Sequence, residues 1–136
     1  MDSIKSPLVV AARLLLALMF IVSGFGKLSN IAGTTAFIAS IGLPAAGLLA
    51  VGAGVLELVA GIALVVGFKA RWAALALGFF TLLASVLFHA YWAAPAEQAY
   101  VQQLMFMKNL AVAGGMFLVA ALGAGPFSID ARRVAA

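Results

Sequence analysis

Four long apolar runs dominate this chain of 136 residues. They extend over residues 8–28, 45–68, 72–92 and 104–124, and each is close to the roughly 20 residues that a helix needs to cross a bilayer. Only 9% of the residues are charged, whereas a soluble domain carries about 25%. The apolar excess must therefore face lipid. The sequence predicts an all-α integral membrane four-helix bundle of up-down topology, with residues 1–136 forming one domain.

The placement of Lys and Arg predicts that both termini are cytoplasmic. The inner side then carries Lys5, Arg13, Lys69, Arg71, Arg132 and Arg133, and the outer side only Lys27 and Lys108. This topology accounts for the net charge of +4, so the expected partner is the lipid bilayer and not a nucleic acid. The first run contains Arg13 and lacks a clear small-residue cleavage site, which favours a retained helix over a signal peptide.

The connections between the runs differ in character. In SNIAGTTAFIASIGLP, Ser29 or Asn30 can cap a helix that Gly42 and Pro44 end, which predicts a short helix at the outer membrane interface. GFKAR is predicted to be a tight basic turn in which Gly67 ends the second span. AAPAEQAYVQQL is the most polar stretch and is predicted to be the second outer connection.

Glu57 lies near the middle of the second span, where a carboxyl group requires a partner or a proton. Small residues share its helical face, namely Gly47, Ala50, Gly54 and Gly61, which predicts close contact with another helix. Arg13 and Lys27 lie on one stripe of the first span, toward opposite ends. Counting about 1.5 Å per residue places Glu57 nearer in depth to Arg13, so we predict an Arg13–Glu57 ion pair. The alternative is that Arg13 and Lys27 extend to the headgroups and Glu57 is protonated.

The single histidine, His89 in FHAYW, ends a polar stripe on the third span that includes Thr81 and Ser85. Taken with that span alone, it is best interpreted as an interfacial residue of an aromatic belt that includes Trp92. The fourth span adds two hydrogen-bond donors, Lys108 and Asn109, at a predicted depth comparable to that of His89.

We therefore predict a ligand site near the outer surface, whose candidate residues are Lys27, Glu57, His89, Trp92, Lys108 and Asn109. Such a cationic, hydrogen-bonding pocket suits an anionic or carbonyl-bearing small molecule, including a quinone head group. The sequence assigns no catalytic residue. The chain has no cysteine, so it cannot supply thiolate metal sites, iron–sulfur clusters or thioether-linked haem. One histidine and four scattered carboxylates predict no metal site, and no intrinsic cofactor is expected.

Six motifs in order extend over nearly the whole chain. They are RLLLALMFIVSGFGKL, IASIGLP, GVLELVAGIALVVGFKAR, FHAYW, MKNLAVAGG and GAGPFSID. Together they resemble the DoxX family of bacterial inner-membrane proteins. The positions that match the family pattern are Arg13, Gly24, Lys27, Gly42, Pro44, Glu57, Gly61, Gly67, Arg71, His89, Trp92, Lys108, Asn109, Gly115, Ser128 and Asp130.

The resemblance implies a location in the bacterial cytoplasmic membrane and a link to redox chemistry. Some better-studied members are subunits of thiosulfate:quinone oxidoreductases or of a membrane oxidoreductase complex with superoxide dismutase and a sulfurtransferase. Others are linked to resistance to quinones or catechols. Three functions follow as hypotheses: a quinone-interacting or accessory component of a redox or detoxification system, a permease for a small solute or protons, and a structural subunit that recruits other proteins. The first requires a redox partner, and the second requires a homo-oligomer because four short helices enclose only a narrow path.

Overall fold

The structure, a computed structural model, describes the backbone of residues 2–134 and the side chains of residues 6–133. Over this range it is helical and contains no strand. The helices are α1 (Asp2–Ser29), α2 (Ile31–Ser40), α3 (Ala46–Val66), α4 (Ala70–Phe88), α5 (Ala96–Leu122) and α6 (Ile129–Val134), with a 3-10 turn at Tyr91–Ala93. Helices α1, α3, α4 and α5 are long and apolar enough to cross a membrane. The predicted all-α, four-span architecture is confirmed.

The four long helices form two tightly packed antiparallel pairs, α1 with α3 and α4 with α5, and α3 joins the pairs by packing against α4. We call the end of the bundle that holds Arg13, Lys69 and Arg71 the basic end. The opposite end, with Lys27 and His89, is called the histidine end. That the basic end faces the cytoplasm stays a prediction of the positive-inside rule.

Small and polar side chains make up much of the interior of the bundle, together with a few large ones such as Phe20, Leu64 and Met116, while most large apolar side chains face outward. Ala17 and Ala50 are fully buried, whereas Leu15 is 72% exposed and Leu48 is 76% exposed. Exposing a large apolar side chain to lipid has no hydrophobic cost, and small residues inside allow the helix backbones to approach closely. The burial pattern is therefore that of a bundle surrounded by hydrocarbon.

The short helix α2 forms as predicted between the first two spans. The side chain of Asn30 caps it by accepting a hydrogen bond of 3.0 Å from the backbone N–H of Gly33. The helix ends before Gly42, which has a φ of +79°, a left-handed conformation that glycine adopts without a steric penalty. Helix α2 then packs against the beginning of α3.

The second outer connection is shorter than predicted. Helix α5 begins at Ala96, directly after Pro95, so most of AAPAEQAYVQQL is helical, and the prediction that the fourth span begins at residue 104 is wrong. That this stretch lies outside the membrane stays a prediction. Ala, Glu and Gln are strong helix formers, and their polarity does not prevent them from extending a helix beyond the bilayer. At 27 residues, α5 is about 40 Å long and exceeds the roughly 30 Å hydrocarbon core. Helix α4 ends at Phe88, with His89 as its cap.

Candidate functional site

An ion pair joins α1 and α3 inside the bundle. The Lys27 Nζ lies 2.7 Å from Oε2 of Glu57, and it also donates a hydrogen bond of 2.6 Å to the Ser23 hydroxyl. Ser23 in turn donates to Oε1 of Glu57 at 3.2 Å. Ser23 and Lys27 are four residues apart and therefore share one face of α1. The Glu57 side chain is 6% exposed and that of Lys27 is 29% exposed, so the carboxylate is enclosed and the ammonium is partly accessible.

The small residues around this pair allow the two backbones to come together. A Cβ atom built on Gly24 would lie 2.8 Å from the carbonyl oxygen of Gly54 and 2.6 Å from the backbone nitrogen of Leu58. One built on Gly61 would meet the backbone of α1 at Ile21. Glycine at these positions is what brings α1 and α3 within reach of a lysine–glutamate contact. Gly54 and Gly61 of the predicted small-residue face thus lie against α1, whereas Gly47 approaches Thr35 of α2.

The predicted Arg13–Glu57 ion pair is wrong. The Arg13 guanidinium lies at the basic end, where it donates to the carbonyl oxygens of Ala124, of Phe127 at 2.8 Å and of Val65 at 3.3 Å. The Val65 carbonyl lies in the last turn of α3 and that of Ala124 just after α5, where a cation is favoured by the helix dipole; the Phe127 carbonyl lies in the connection between α5 and α6. Arg13 therefore binds backbone acceptors, and Lys27 is the partner of Glu57 in its place.

The error came from assuming that α1 and α3 end at the same depth. Gly24 lies against Gly54 and Leu58, so α3 continues about two turns past the end of α1 at the histidine end. Over those turns α3 packs on α2, as the approach of Gly47 to Thr35 indicates. Lys27 is therefore one turn from the level of Glu57, and Arg13 is about three turns away.

His89 lies at the end of α4, where its Nδ1 is 2.8 Å from Oε1 of Gln102 on α5. An amide oxygen only accepts, so this contact requires the proton on Nδ1 and leaves Nε2 of the neutral ring as an acceptor. Gln102 was missed because the fourth span was predicted to begin at residue 104, which leaves Gln102 in the connection before it. The neighbouring Trp92 packs edge-on against Tyr91 and Phe106, with ring centroids 5.2 and 5.5 Å away.

Lys108 and Asn109 lie on different faces of α5. Asn109 is 9% exposed and belongs to the buried face of α5. Lys108 is exposed, and its Nζ lies 3.6 Å from the sulfur of Met105. The structure thus brings together Lys27 and Glu57 but directs the Lys108 side chain away from the bundle interior. A ligand shared by His89 and Lys108 stays a prediction.

The basic end is held by charges that cap helix termini. Both carboxylate oxygens of Asp130 accept from backbone N–H groups at the start of α4, from Lys69 at 2.7 Å and from Ala70 at 2.9 Å. The Arg71 guanidinium donates to the carbonyls of Ala120 and Ala121 at 2.8 and 2.6 Å. An anion at a helix N-terminus and cations at C-termini are each stabilising. GFKAR and GAGPFSID therefore form one structural unit, and we assign these residues to stability.

We expect Asp130→Ala to lower the free energy of unfolding by about 1 kcal/mol, because two N–H groups at the start of α4 lose their acceptor. The Asp130→Asn variant keeps one carbonyl acceptor, so its loss should be about half as large. Arg132→Ala, on the same short helix, is the control and should change stability by less than about 0.5 kcal/mol. Unfolding in mixed detergent micelles measures all three. Equal stability of Asp130→Ala and Arg132→Ala would contradict the capping role.

Comparison with known proteins agrees with the six motifs. The family model described as DoxX matches residues 8–90, which extend from α1 to just after α4. The chain belongs to the DoxX family. It is 40% identical over 122 residues to the inner membrane protein YqjF of Escherichia coli K12, covering 90% of this chain and 88% of that protein. It is 37% identical over 125 residues to the inner membrane protein YphA of the same organism, covering 92% and 89%.

This DoxX protein is therefore an integral protein of the inner membrane. A more distant relative is the ER-derived vesicles protein ERV29 of Saccharomyces cerevisiae, 26% identical over 97% of this chain but only 36% of that protein. No solved structure matches the chain significantly. The region matched by the family model includes Lys27, Glu57 and His89, whereas Gln102 and Asn109 lie beyond it.

Proposed function

We propose that this DoxX protein is the membrane component of a redox or detoxification system and binds a quinone head group at the Lys27–Glu57 pair. The observation that carries the proposal is the hydrogen bonding of the Lys27 ammonium. Two of its three N–H groups are directed to Ser23 and Glu57, and the side chain remains 29% exposed. The third N–H is available to a carbonyl oxygen.

The residues fit such a ligand in charge and in hydrogen bonding. A quinone head group presents carbonyl oxygens that accept hydrogen bonds from a charged donor such as the Lys27 ammonium. Glu57 is enclosed between the helices and its Oε2 lies 2.7 Å from the Lys27 Nζ, so it supplies the counter-charge that an ammonium inside an apolar span requires. When bound, a quinone supplies two-electron, two-proton chemistry. The chain contributes the hydrogen bond and the positive charge, and a partner protein delivers the electrons.

His89 and Trp92 are at the histidine end and Asn109 is near the middle of α5, and together they would extend the proposed site toward α4 and α5. His89 can accept a hydrogen bond through Nε2 while Gln102 holds its other nitrogen. Trp92 is 59% exposed and offers an aromatic face for packing against a flat ring. These residues are proposed as secondary contacts, with Lys27 as the principal one.

The permease hypothesis has less support. Its path would follow Thr81 and Ser85, but both are buried. Their hydroxyl groups donate to carbonyls of their own helix, at 2.7 Å to Leu77 and at 2.8 Å to Thr81. With their donors engaged within α4, these hydroxyl groups offer a solute only their acceptor lone pairs.

The test is binding of a short-chain quinone to purified protein in nanodiscs, measured by calorimetry. We expect Lys27→Gln to weaken binding about tenfold or more, because a charge-assisted hydrogen bond contributes about 1.5–3 kcal/mol. The double variant Lys27→Gln/Glu57→Gln keeps a neutral pair at the helix contact and should also lose binding, which separates loss of the ligand contact from misfolding.

Lys108→Gln is the matched control. It removes one exposed lysine whose side chain is directed away from the bundle interior, and we expect it to bind the quinone within about twofold of the unchanged protein. A larger loss would favour the ligand shared by His89 and Lys108 over the Lys27 site. The proposal is wrong if the unchanged protein binds no quinone, or if the double Lys27→Gln/Glu57→Gln variant binds as well as the unchanged protein does.

A further inference from the structure

An apolar groove of about 520 Å³ runs along the outward face of α3 toward the start of α4. Gly52, Leu56, Ala60 and Ala63 line it along α3, and Trp72 lines it from α4. These α3 positions recur every three or four residues and so form one continuous face. From Gly52 to Ala63 the groove extends about 16 Å at 1.5 Å per residue.

The dimensions of the groove match those of one lipid acyl chain. The hydrocarbon core of a bilayer is about 30 Å thick, so the acyl chains of one leaflet extend about 15 Å. The groove begins at the basic end and extends toward the middle of the membrane. Its lining is almost entirely apolar, so it offers hydrogen bonds to no polar ligand along its length.

Two cations lie where the groove reaches the membrane surface. Phe68 lines the groove, and the Arg133 guanidinium lies 4.8 Å from the centroid of its ring while the Lys69 Nζ lies 5.9 Å from it. Both cations are exposed. The nearby Asp130 carboxylate is engaged by the backbone N–H groups of Lys69 and Ala70. The surface end of the groove is therefore positively charged.

We propose that this groove binds an anionic phospholipid, with one acyl chain along α3 and the phosphate group between Lys69 and Arg133. A basic residue near a membrane surface favours anionic lipid by about 1 kcal/mol, which corresponds to about fivefold in affinity. A second copy of this chain would fit less well, because a symmetric contact at this face would bring the same cations together. The proposal is independent of the quinone site at the opposite end.

The position of Trp72 provides a direct measurement. The chain has two tryptophans, so the Trp92→Phe variant leaves Trp72 at the groove as the only indole. In phosphatidylcholine vesicles, brominated phosphatidylglycerol quenches this fluorescence when it contacts Trp72. We expect its apparent affinity at Trp72 to exceed that of brominated phosphatidylcholine by about 25-fold, because two basic residues contribute about fivefold each.

Two substitutions on this background separate the acyl-chain contact from the headgroup contact. Gly52→Leu fills the groove, and a Cβ atom at Gly52 meets no heavy atom within 4 Å, so the fold tolerates it. Its matched control is Gly114→Leu on α5, which is equally open but outside the groove. Arg133→Gln removes one cation from the Phe68 ring, and its matched control is Arg132→Gln, an exposed neighbour.

We expect Gly52→Leu to abolish the preference for phosphatidylglycerol and Arg133→Gln to reduce it about fivefold, while both controls retain it. Equal quenching by the two brominated lipids would overturn the proposal, and so would equal effects of Arg132→Gln and Arg133→Gln. A dimer that is abolished by Gly52→Leu, in the absence of lipid preference, would instead assign the groove to a second copy of the chain.

Discussion

Replacing Lys27 by methionine should lower the free energy of unfolding by about 3 kcal/mol, because it leaves the Glu57 carboxylate without its counter-charge between two helices. Glu57 is 5% exposed, and its remaining partner is the hydroxyl of Ser23. The loss should be at the lower end of the range for buried pairs, because the Ser23 hydroxyl still donates to the carboxylate. Unfolding in mixed micelles of sodium dodecyl sulfate and dodecylmaltoside measures the change.

The double variant Lys27→Met/Glu57→Gln tests whether the loss arises from the ion pair. It removes both charges, so we expect its stability to return to within about 1 kcal/mol of the unchanged protein, and the double-mutant cycle to give a coupling free energy of about 2 kcal/mol. Lys108→Met removes an exposed lysine and should change stability by less than about 0.5 kcal/mol. If Lys27→Met and Lys108→Met behave alike, the ion pair does not stabilise the bundle.

Gly24→Ala should be the second most damaging change, lowering the free energy of unfolding by about 2–3 kcal/mol. The added Cβ would lie 2.6 Å from the backbone nitrogen of Leu58 and 2.8 Å from the carbonyl oxygen of Gly54. Backbone atoms cannot rotate away as a side chain can, so α1 and α3 must separate. Separation would also lengthen the Lys27–Glu57 contact. The same micelle unfolding experiment measures the effect.

Gly26→Ala is the control for this substitution. Gly26 is on the same helix, two residues away, and an added Cβ there meets no heavy atom within 4 Å. Its only expected effect is a gain in helix propensity of up to about 1 kcal/mol. A loss of stability in Gly26→Ala as large as that in Gly24→Ala would show that the cost comes from the helix itself and not from the contact with α3.

The predictions for Lys27→Met and Gly24→Ala both concern the contact between α1 and α3. Gly24 brings the helices close enough for Lys27 to reach Glu57, and the ion pair makes the close approach favourable where lipid provides no hydrophobic driving force between helices. The small-residue face therefore has a second role besides helix packing. In this bundle it determines which of the cations on α1 becomes the partner of a carboxylate inside the membrane.

The candidate site was only partly predictable from the sequence. Glu57 could be recognised because a carboxyl side chain in the middle of an apolar run is too short to reach water. The partner of Glu57 could not be recognised, because the depth of a residue in the bundle depends on how far its helix extends past the neighbouring helix. The same limitation applies to Gln102, whose contact with His89 requires that α5 begin at Ala96.

The basic end shows the same division. The sequence motifs identified Arg71 and Asp130 as matches to the family pattern, but they did not show what these side chains contact. In the structure both cap helix ends, Arg71 on α5 and Asp130 on α4. Residues separated by about 60 positions meet there only because α3 and α5 end at the same side of the bundle.

The sequence by itself determined the membrane-spanning character, the number of spans, the short helix α2 and the need for a polar contact at Glu57. Those features follow from local composition and helical periodicity, which depend only on the residues within a single segment. The tertiary structure decided that Lys27 and not Arg13 meets Glu57, that Gln102 holds His89, and that a groove opens beside Phe68. Each of these depends on the offset between neighbouring helices, and a difference of one turn, about 5.4 Å, changes which side chains touch.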